Sequence, residues 1–111
     1  MLALTEEEAS WLDAYRRAIE ERYPGIVRRM LIYGSKARGQ AHPDSDLDLL
    51  LIFRNDAAGL KRELRRFGYL LAAASEVVPS ILAYTEEEWE SRSQIGSPFC
   101  QAVERDAVRV L

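Results

Sequence analysis

Gly34-Ser35-Lys36-Ala37-Arg38-Gly39-Gln40-Ala41-His42-Pro43-Asp44-Ser45-Asp46-Leu47-Asp48-Leu49 is the stretch that decides how this sequence is read. The run before it, Val27 to Tyr33, turns β-branched and apolar toward its end and reads as a first strand that stops at Gly34. The chain then turns tightly and Ser35 opens a helical turn, so that free backbone amides and one hydroxyl face a common spot, as in a phosphate cradle. Gly39, Pro43, Asp44 and the serines make the rest, to Ser45, a loop. Asp46 to Phe53 reads as a second strand, alternating at first and then continuously apolar, the pattern of a central strand covered on both faces. Asp46 and Asp48 lie two apart, so their carboxylates project from one face within reach of one ion or a pair. Hard oxygen ligands of this kind suit Mg²⁺, which takes one or two carboxylates and completes its shell with phosphates and water. Cradle and carboxylates together suggest metal-assisted phosphoryl or nucleotidyl transfer. A D-x-D alone reads better as two solvated acids opening a strand, and it is the Gly-Ser turn at this spacing that reverses the balance in favour of a site.

Outward from this stretch, the N-terminal side carries a helix. Thr5-Glu6-Glu7-Glu8 is a capping box, with three acids at the positive end of the helix dipole. Leu12, Tyr15, Ile19 and Tyr23 then give one apolar face until Pro24-Gly25 ends it. On the C-terminal side the spacing predicts a helix from about Ala57 to Ser75, with Leu60, Leu64, Phe67 and Leu71 inward and Lys61, Arg62, Arg65 and Arg66 outward. Val77 to Tyr84 reads as a third strand, weakened by Pro79, which suits an edge or a bulge. Thr85-Glu86-Glu87-Glu88 is a second capping box before a short helix, Ser97-Pro98 opens a last helix to about Arg105, and Ala107 to Leu111 offers a short final strand. The fold class is therefore α/β (α+β): one domain over residues 1–111 with a small mixed β-sheet of three or four strands flanked by helices.

Composition limits the alternatives. With 111 residues, 48% apolar and 30% charged, the chain has the balance of one folded domain. No stretch is apolar for the eighteen or so residues of a membrane span, and the start turns acidic where a signal peptide would be basic and then apolar, so the expected location is cytoplasmic. One cysteine, Cys100, and one histidine, His42, exclude disulfide scaffolds and cysteine-based zinc cages. The net charge of −3 argues against nucleic acid and against an anionic membrane as partners. Residues 14 to 66 nevertheless hold twelve bases against seven acids, and thirteen of the fifteen bases in the chain are Arg, which grips phosphate with two prongs. A small polyanion suits this distribution better than a long duplex.

Gly34-Ser35-x-Ala37-Arg38-Gly39 followed by Ser45-Asp46-Leu47-Asp48-Leu49 resembles the signature of the DNA polymerase β-like nucleotidyltransferase superfamily, and the short chain resembles its minimal nucleotidyltransferase branch. The motif covers residues 34 to 49, while the order of elements is similar to the whole minimal domain. The resemblance implies the polymerase β-like nucleotidyltransferase fold, with Gly34, Ser35 and Arg38 binding the nucleotide and Asp46 and Asp48 acting as catalytic residues that hold Mg²⁺ (or Mn²⁺). It also implies transfer of a nucleoside monophosphate, AMP from ATP, onto an acceptor hydroxyl. The minimal branch resembles antitoxins encoded beside helical HEPN-domain toxins, so a HEPN-type partner is the implied acceptor.

One position departs from the family pattern. Active members offer a third acid from the strand after the long helix, and here the central place on that strand is Ser80. Glu76 shares its parity but lies four residues earlier, roughly 13 Å along an extended chain. Two readings stay open: an Mg²⁺-dependent nucleotidyltransferase, or a weak or inactive module that binds nucleotide and partner. Lys36 reads equally as a triphosphate contact and as a solvated charge. His42 reads as an exposed loop imidazole, and the group from Lys61 to Arg66 as a wet helix face. Trp11, Trp89, Tyr15 and Tyr69 read as core or interface, and Cys100, at helical spacing with Val103, as a buried apolar residue.

Overall fold

A computed structural model describes residues 2–40, 42 and 45–111; Met1 and, from the loop quoted above, Ala41, Pro43 and Asp44 lie outside the described residues. The elements are α1 (Glu6–Arg22), β1 (Val27–Tyr33), α2 (Ser35–Arg38), β2 (Leu47–Phe53), a 3₁₀ turn (Asn55–Leu60), α3 (Lys61–Ala72), β3 (Pro79–Thr85), α4 (Glu86–Gln94), α5 (Pro98–Asp106) and β4 (Val108–Arg109). Both capping boxes form. The Thr5 hydroxyl accepts from the Glu8 amide at 3.1 Å while the Glu8 carboxylate accepts from the Thr5 amide at 2.9 Å, and Thr85 and Glu88 repeat the exchange at the start of α4. Each satisfies two amides that a helix start leaves unpaired, worth about 1 kcal/mol.

The described residues form a four-stranded sheet in the order β3-β2-β1-β4, with β2 parallel to β3 and the other pairs antiparallel. The central place of β2 follows from its apolar run. Leu47, Leu49, Leu51 and Phe53 face α1 and α3, whereas Leu50 and Ile52 face the cluster of Trp89, Cys100 and Val103 under α4 and α5. Strand β3 is an edge, as Pro79 indicates. Ile81, two residues on, turns its amide and carbonyl outward, where they meet the Tyr69 hydroxyl and the Arg65 guanidinium at 2.9 Å each. Pro79 shares that outward parity, so its missing N–H costs no ladder bond.

Helix α3 departs from the sequence reading. A 3₁₀ turn precedes it, it spans Lys61–Ala72 rather than about 57 to 75, and its buried positions are Leu64, Gly68 and Ala72. Leu60 and Phe67 pack only partly, and Leu71, expected inward, is 37% exposed. The reason is Gly68. A Cβ there would stand 2.4 Å from Ile81 Cδ1 and 2.9 Å from Tyr15 Cζ, so α1 and β3 close on bare backbone at this point and turn the contact face toward Ala72. Trp11 Nε1 donates to the Gly68 carbonyl at 2.9 Å and Tyr15 Oη to the Leu64 carbonyl at 2.5 Å, fixing α1 across α3. Trp11, Tyr15, Trp89 and Cys100 are buried, as their sequence context suggests, while Tyr69 stays half exposed.

Candidate active site at the end of the central strands

Tyr33 on β1 stands opposite Asp48 on β2, and Asp48 opposite Ser80 on β3, so these three side chains form one row across the sheet. Asp46 lies one residue ahead of β2 rather than within it, and its side chain is exposed; Asp48 and Ser80 are half-buried. Gly34 follows Tyr33 with φ 75° and ψ −155°, a conformation that belongs to glycine. A Cβ on Gly34 would also fall 2.4 Å from Asp48 Oδ2. The glycine between β1 and α2 is therefore required twice, by its backbone angles and by the carboxylate against it.

After Gly34 the chain makes the single helical turn expected from Ser35. The Arg38 amide reaches the Gly34 carbonyl at 3.3 Å and the Gln40 amide the Ser35 carbonyl at 3.0 Å, and Gly39 closes α2 in the left-handed conformation. The amides of Ser35, Lys36 and Ala37 precede the first helical bond, and among the described residues no backbone carbonyl pairs with them. Arg38 is exposed, its Nε 3.3 Å from Gln40 Oε1. Lys36 corrects both of its sequence readings, since it reaches neither toward the Gly34 turn nor into solvent. It is 2% exposed and its ammonium lies 3.0 Å from Glu8 Oε1 on α1.

The electrostatics centre on Asp48. Burial raises its carboxyl from its ordinary value, the neighbouring Asp46 charge raises it further, and Arg38 opposes both. Burial, with the Asp48 charge second, pushes the Tyr33 phenol up to about 12, so it stays protonated at neutral pH. Two hard carboxylates of like charge, one of them half-buried, are a donor set that a divalent cation fits and relieves. Among the described residues no group of three or more His, Cys, Asp or Glu side chains converges on a metal position, which leaves phosphates and water to complete any such shell.

Ser80 stands directly across from Asp48 on the neighbouring strand. Glu76 lies three residues before β3 and lines, with Ser45, Val77 and Val78, a cleft of about 640 Å³ whose opposite wall is the first turn of α1. His42 is exposed, its amide 2.9 Å from Ser45 Oγ. Of the group from Lys61 to Arg66, Arg62 and Arg66 are solvated, while Lys61 pairs with Glu88 at 2.8 Å and Arg65 covers the edge of β3. Sequence reasoning missed Tyr33 and Glu8. Tyr33 is legible in hindsight from its place immediately before Gly34, whereas nothing local connects Glu8 to Lys36.

Residues 12–105 match the family described as nucleotidyltransferase domain. A curated relative, the protein adenylyltransferase MntA of Thermococcus cleftensis, is 41% identical over 61 residues. That match takes in 55% of this chain and 59% of the relative, so it spans less than two thirds of the relative's length. Among solved structures, a toxin-antitoxin with AMP-PNP superposes with a TM-score of 0.57 at 19% identity, covering 96% of this chain and 73% of that one. A mutant of the toxin-antitoxin MntA-HpeT gives 0.55 at 17% identity, covering 89% and 71%. At such identities the likeness to these two structures establishes the fold.

Proposed function

The chain belongs to the nucleotidyltransferase domain family, and from that footing we propose that it transfers AMP from ATP to an acceptor hydroxyl on a partner protein. The observation that supports this reading is the packing of Gly34 on Asp48, which sets the turn that opens α2 directly against the Asp48 carboxylate. Ser35 and the free amides of α2 would hold the phosphates, with Arg38 adding charge at the rim. Asp46 and Asp48 would hold Mg²⁺ or Mn²⁺. Bound there, a divalent cation supplies charge neutralisation at the α-phosphate and lowers the pKa of the acceptor hydroxyl. The acceptor oxygen forms a bond to the α-phosphorus, the bond to the bridging oxygen breaks, pyrophosphate leaves, and the hydroxyl proton passes to solvent. The partner we propose is a toxin, because the relative is a protein adenylyltransferase and two of the structural neighbours are toxin-antitoxin proteins; that it is a small helical HEPN-domain protein rests on the motif's resemblance to the minimal nucleotidyltransferase branch.

Ser80 favours a second reading, in which the domain binds nucleotide and partner with weak or no turnover. A neutral hydroxyl opposite Asp48 cannot take up the acceptor proton as a carboxylate can. Incubation with α-labelled ATP, Mg²⁺ and the protein encoded by the neighbouring reading frame tests both readings. Label on the partner that disappears with Asp46→Asn plus Asp48→Asn supports the enzyme; stable binding of Mg·ATP and partner without label supports the module; absence of Mg·ATP binding sinks both.

A further inference from the structure

Two buried charges, Lys36 and Glu8, have no part in the reading above. They are 2% and 6% exposed, meet at 3.0 Å, and lie 28 residues apart, so their contact ties the first turn of α1 to the turn that carries Ser35. Backbone bonds reinforce the tie. The Ala3 amide donates to the Lys36 carbonyl at 2.9 Å, and the Thr5 amide donates to the same Glu8 Oε1 that receives the Lys36 ammonium. Ala37, the next residue, is buried in the core cluster against which Leu2 and Leu4 also pack.

A buried ion pair is a poor route to stability, because desolvating two charges takes back most of their attraction and an apolar pair of similar volume is often as stable. What it gives instead is a fixed distance and direction, here at a residue flanked by the Ser35 and Ala37 amides. We propose that Glu8 and Lys36 are positioning residues that hold the turn from Gly34 to Gly39 in the geometry that accepts a nucleotide's phosphates, without touching the nucleotide. The inference rests on the nucleotidyltransferase reading of that turn and adds to it residues on α1, outside the motif. It also explains why a lysine in a phosphate-binding turn points its ammonium inward. The turn's amides and Arg38 are left to meet the phosphates, while the buried charge acts only on where those amides stand.

The test is the double variant Glu8→Gln plus Lys36→Met, in which the glutamine oxygen still accepts from the Thr5 amide and the methionine keeps an unbranched side chain one atom shorter and without the charge. Three readouts are compared with the wild type: amide hydrogen exchange at residues 35 to 39 without nucleotide, Mg·ATP affinity by calorimetry, and thermal melting. We expect a folded protein whose turn exchanges faster and whose ATP affinity falls about tenfold or more, as small misplacements of binding groups do. Where transfer is measurable, KM rises while kcat stays within about twofold. Lys36→Arg, which keeps a cation, should recover most of the affinity. A folded double variant with wild-type exchange and affinity overturns the proposal, as does an affinity loss that merely follows the loss of melting temperature from variant to variant. Should the double variant not fold, Glu8→Asp retains both charges and withdraws the carboxylate by one methylene. A drop in affinity with the fold intact then supports positioning, and unchanged affinity overturns it. Wild-type protein that fails to bind Mg·ATP would instead sink the nucleotidyltransferase reading, and the positioning role with it.

Discussion

At Gly34, one missing methyl group serves both backbone and site. Alanine there must adopt φ near 75° and place a Cβ 2.4 Å from Asp48 Oδ2. Backbone angles that belong to glycine cost another residue about 1–3 kcal/mol, and the carboxylate can escape the clash only by turning away from its position. Gly34→Ala should therefore lower the melting temperature by roughly 5–10 °C and weaken Mg·ATP binding by more than that loss explains, which melting curves and calorimetry on the folded variant separate. A melting loss with unaltered ATP affinity would make Gly34 a structural hinge. Ser80 offers the converse experiment. Because it stands in register with Asp48, Ser80→Asp adds a second carboxylate to the row and, counting Asp46, a third to the site, lowering stability in chelator and recovering it with Mg²⁺. If activity exists, turnover should rise; a metal-insensitive melt would place Ser80 outside the site. Gly34, Asp46 and Asp48 were legible in the sequence because their chemistry is local, carried by residues within one short segment. Lys36 was not, since its partner lies on another helix and helix capping already accounts for Glu8.

Among the elements, strand β1 and helix α1 were legible because a glycine or proline punctuates them and a cap starts the helix. Helix α3 was less so. Its sequence offers two apolar faces, and the choice between them rests on Gly68, which apolar periodicity scores as nothing and which three-dimensional packing makes the point of closest approach. Gly68→Ala should consequently destabilise by about 1–3 kcal/mol as an overpacked contact, against the gain of about 1 kcal/mol that alanine ordinarily gives inside a helix. Chemical denaturation measures which wins, and a net gain in stability would show that Ile81 and Tyr15 yield more easily than their burial implies. At the start of α4, hydrogen bonds from Lys61 and then from the Thr85 amide hold the Glu88 carboxyl below its ordinary value of 4.5. A lowered acid stabilises the fold above its unfolded-state value and loses that contribution as pH falls through the folded one. The acid limb of the stability curve below about pH 4.5 should flatten in Glu88→Gln, whose amide oxygen can still cap α4 while the charge is gone. The pair with Lys61 is exposed, so the change should stay under about 1 kcal/mol.

For the molecule as a whole, the central place of β2 was legible in the sequence, because a continuous apolar run needs cover on both faces, whereas the places of β1 and β4 in the order β3-β2-β1-β4 come from the pairing alone. The charge arrangement follows less directly, since it is the fold that brings Asp48 out of water beside Asp46. Its carboxyl is raised, chiefly by burial, so the folded state binds that proton more tightly than the unfolded chain does. Stability in the absence of metal therefore falls as pH climbs past the ordinary value of 3.8, the opposite sign to Glu88. Removing both charges with Asp46→Asn plus Asp48→Asn should raise the neutral-pH melting temperature of the metal-free protein above that of the wild type. Mg·ATP should reverse the ranking. A ligand at a hundred times its Kd adds about 2.7 kcal/mol to the state that binds it, on the order of 10 °C for a domain of this size, and only the wild type would receive it. A site kept at the expense of stability is what a binding role predicts and a solvated strand opening does not. Melting curves of both proteins in chelator and in saturating Mg·ATP decide the matter: crossing ranks support a metal-nucleotide site at Asp46 and Asp48, and parallel shifts on adding ligand would move that site elsewhere.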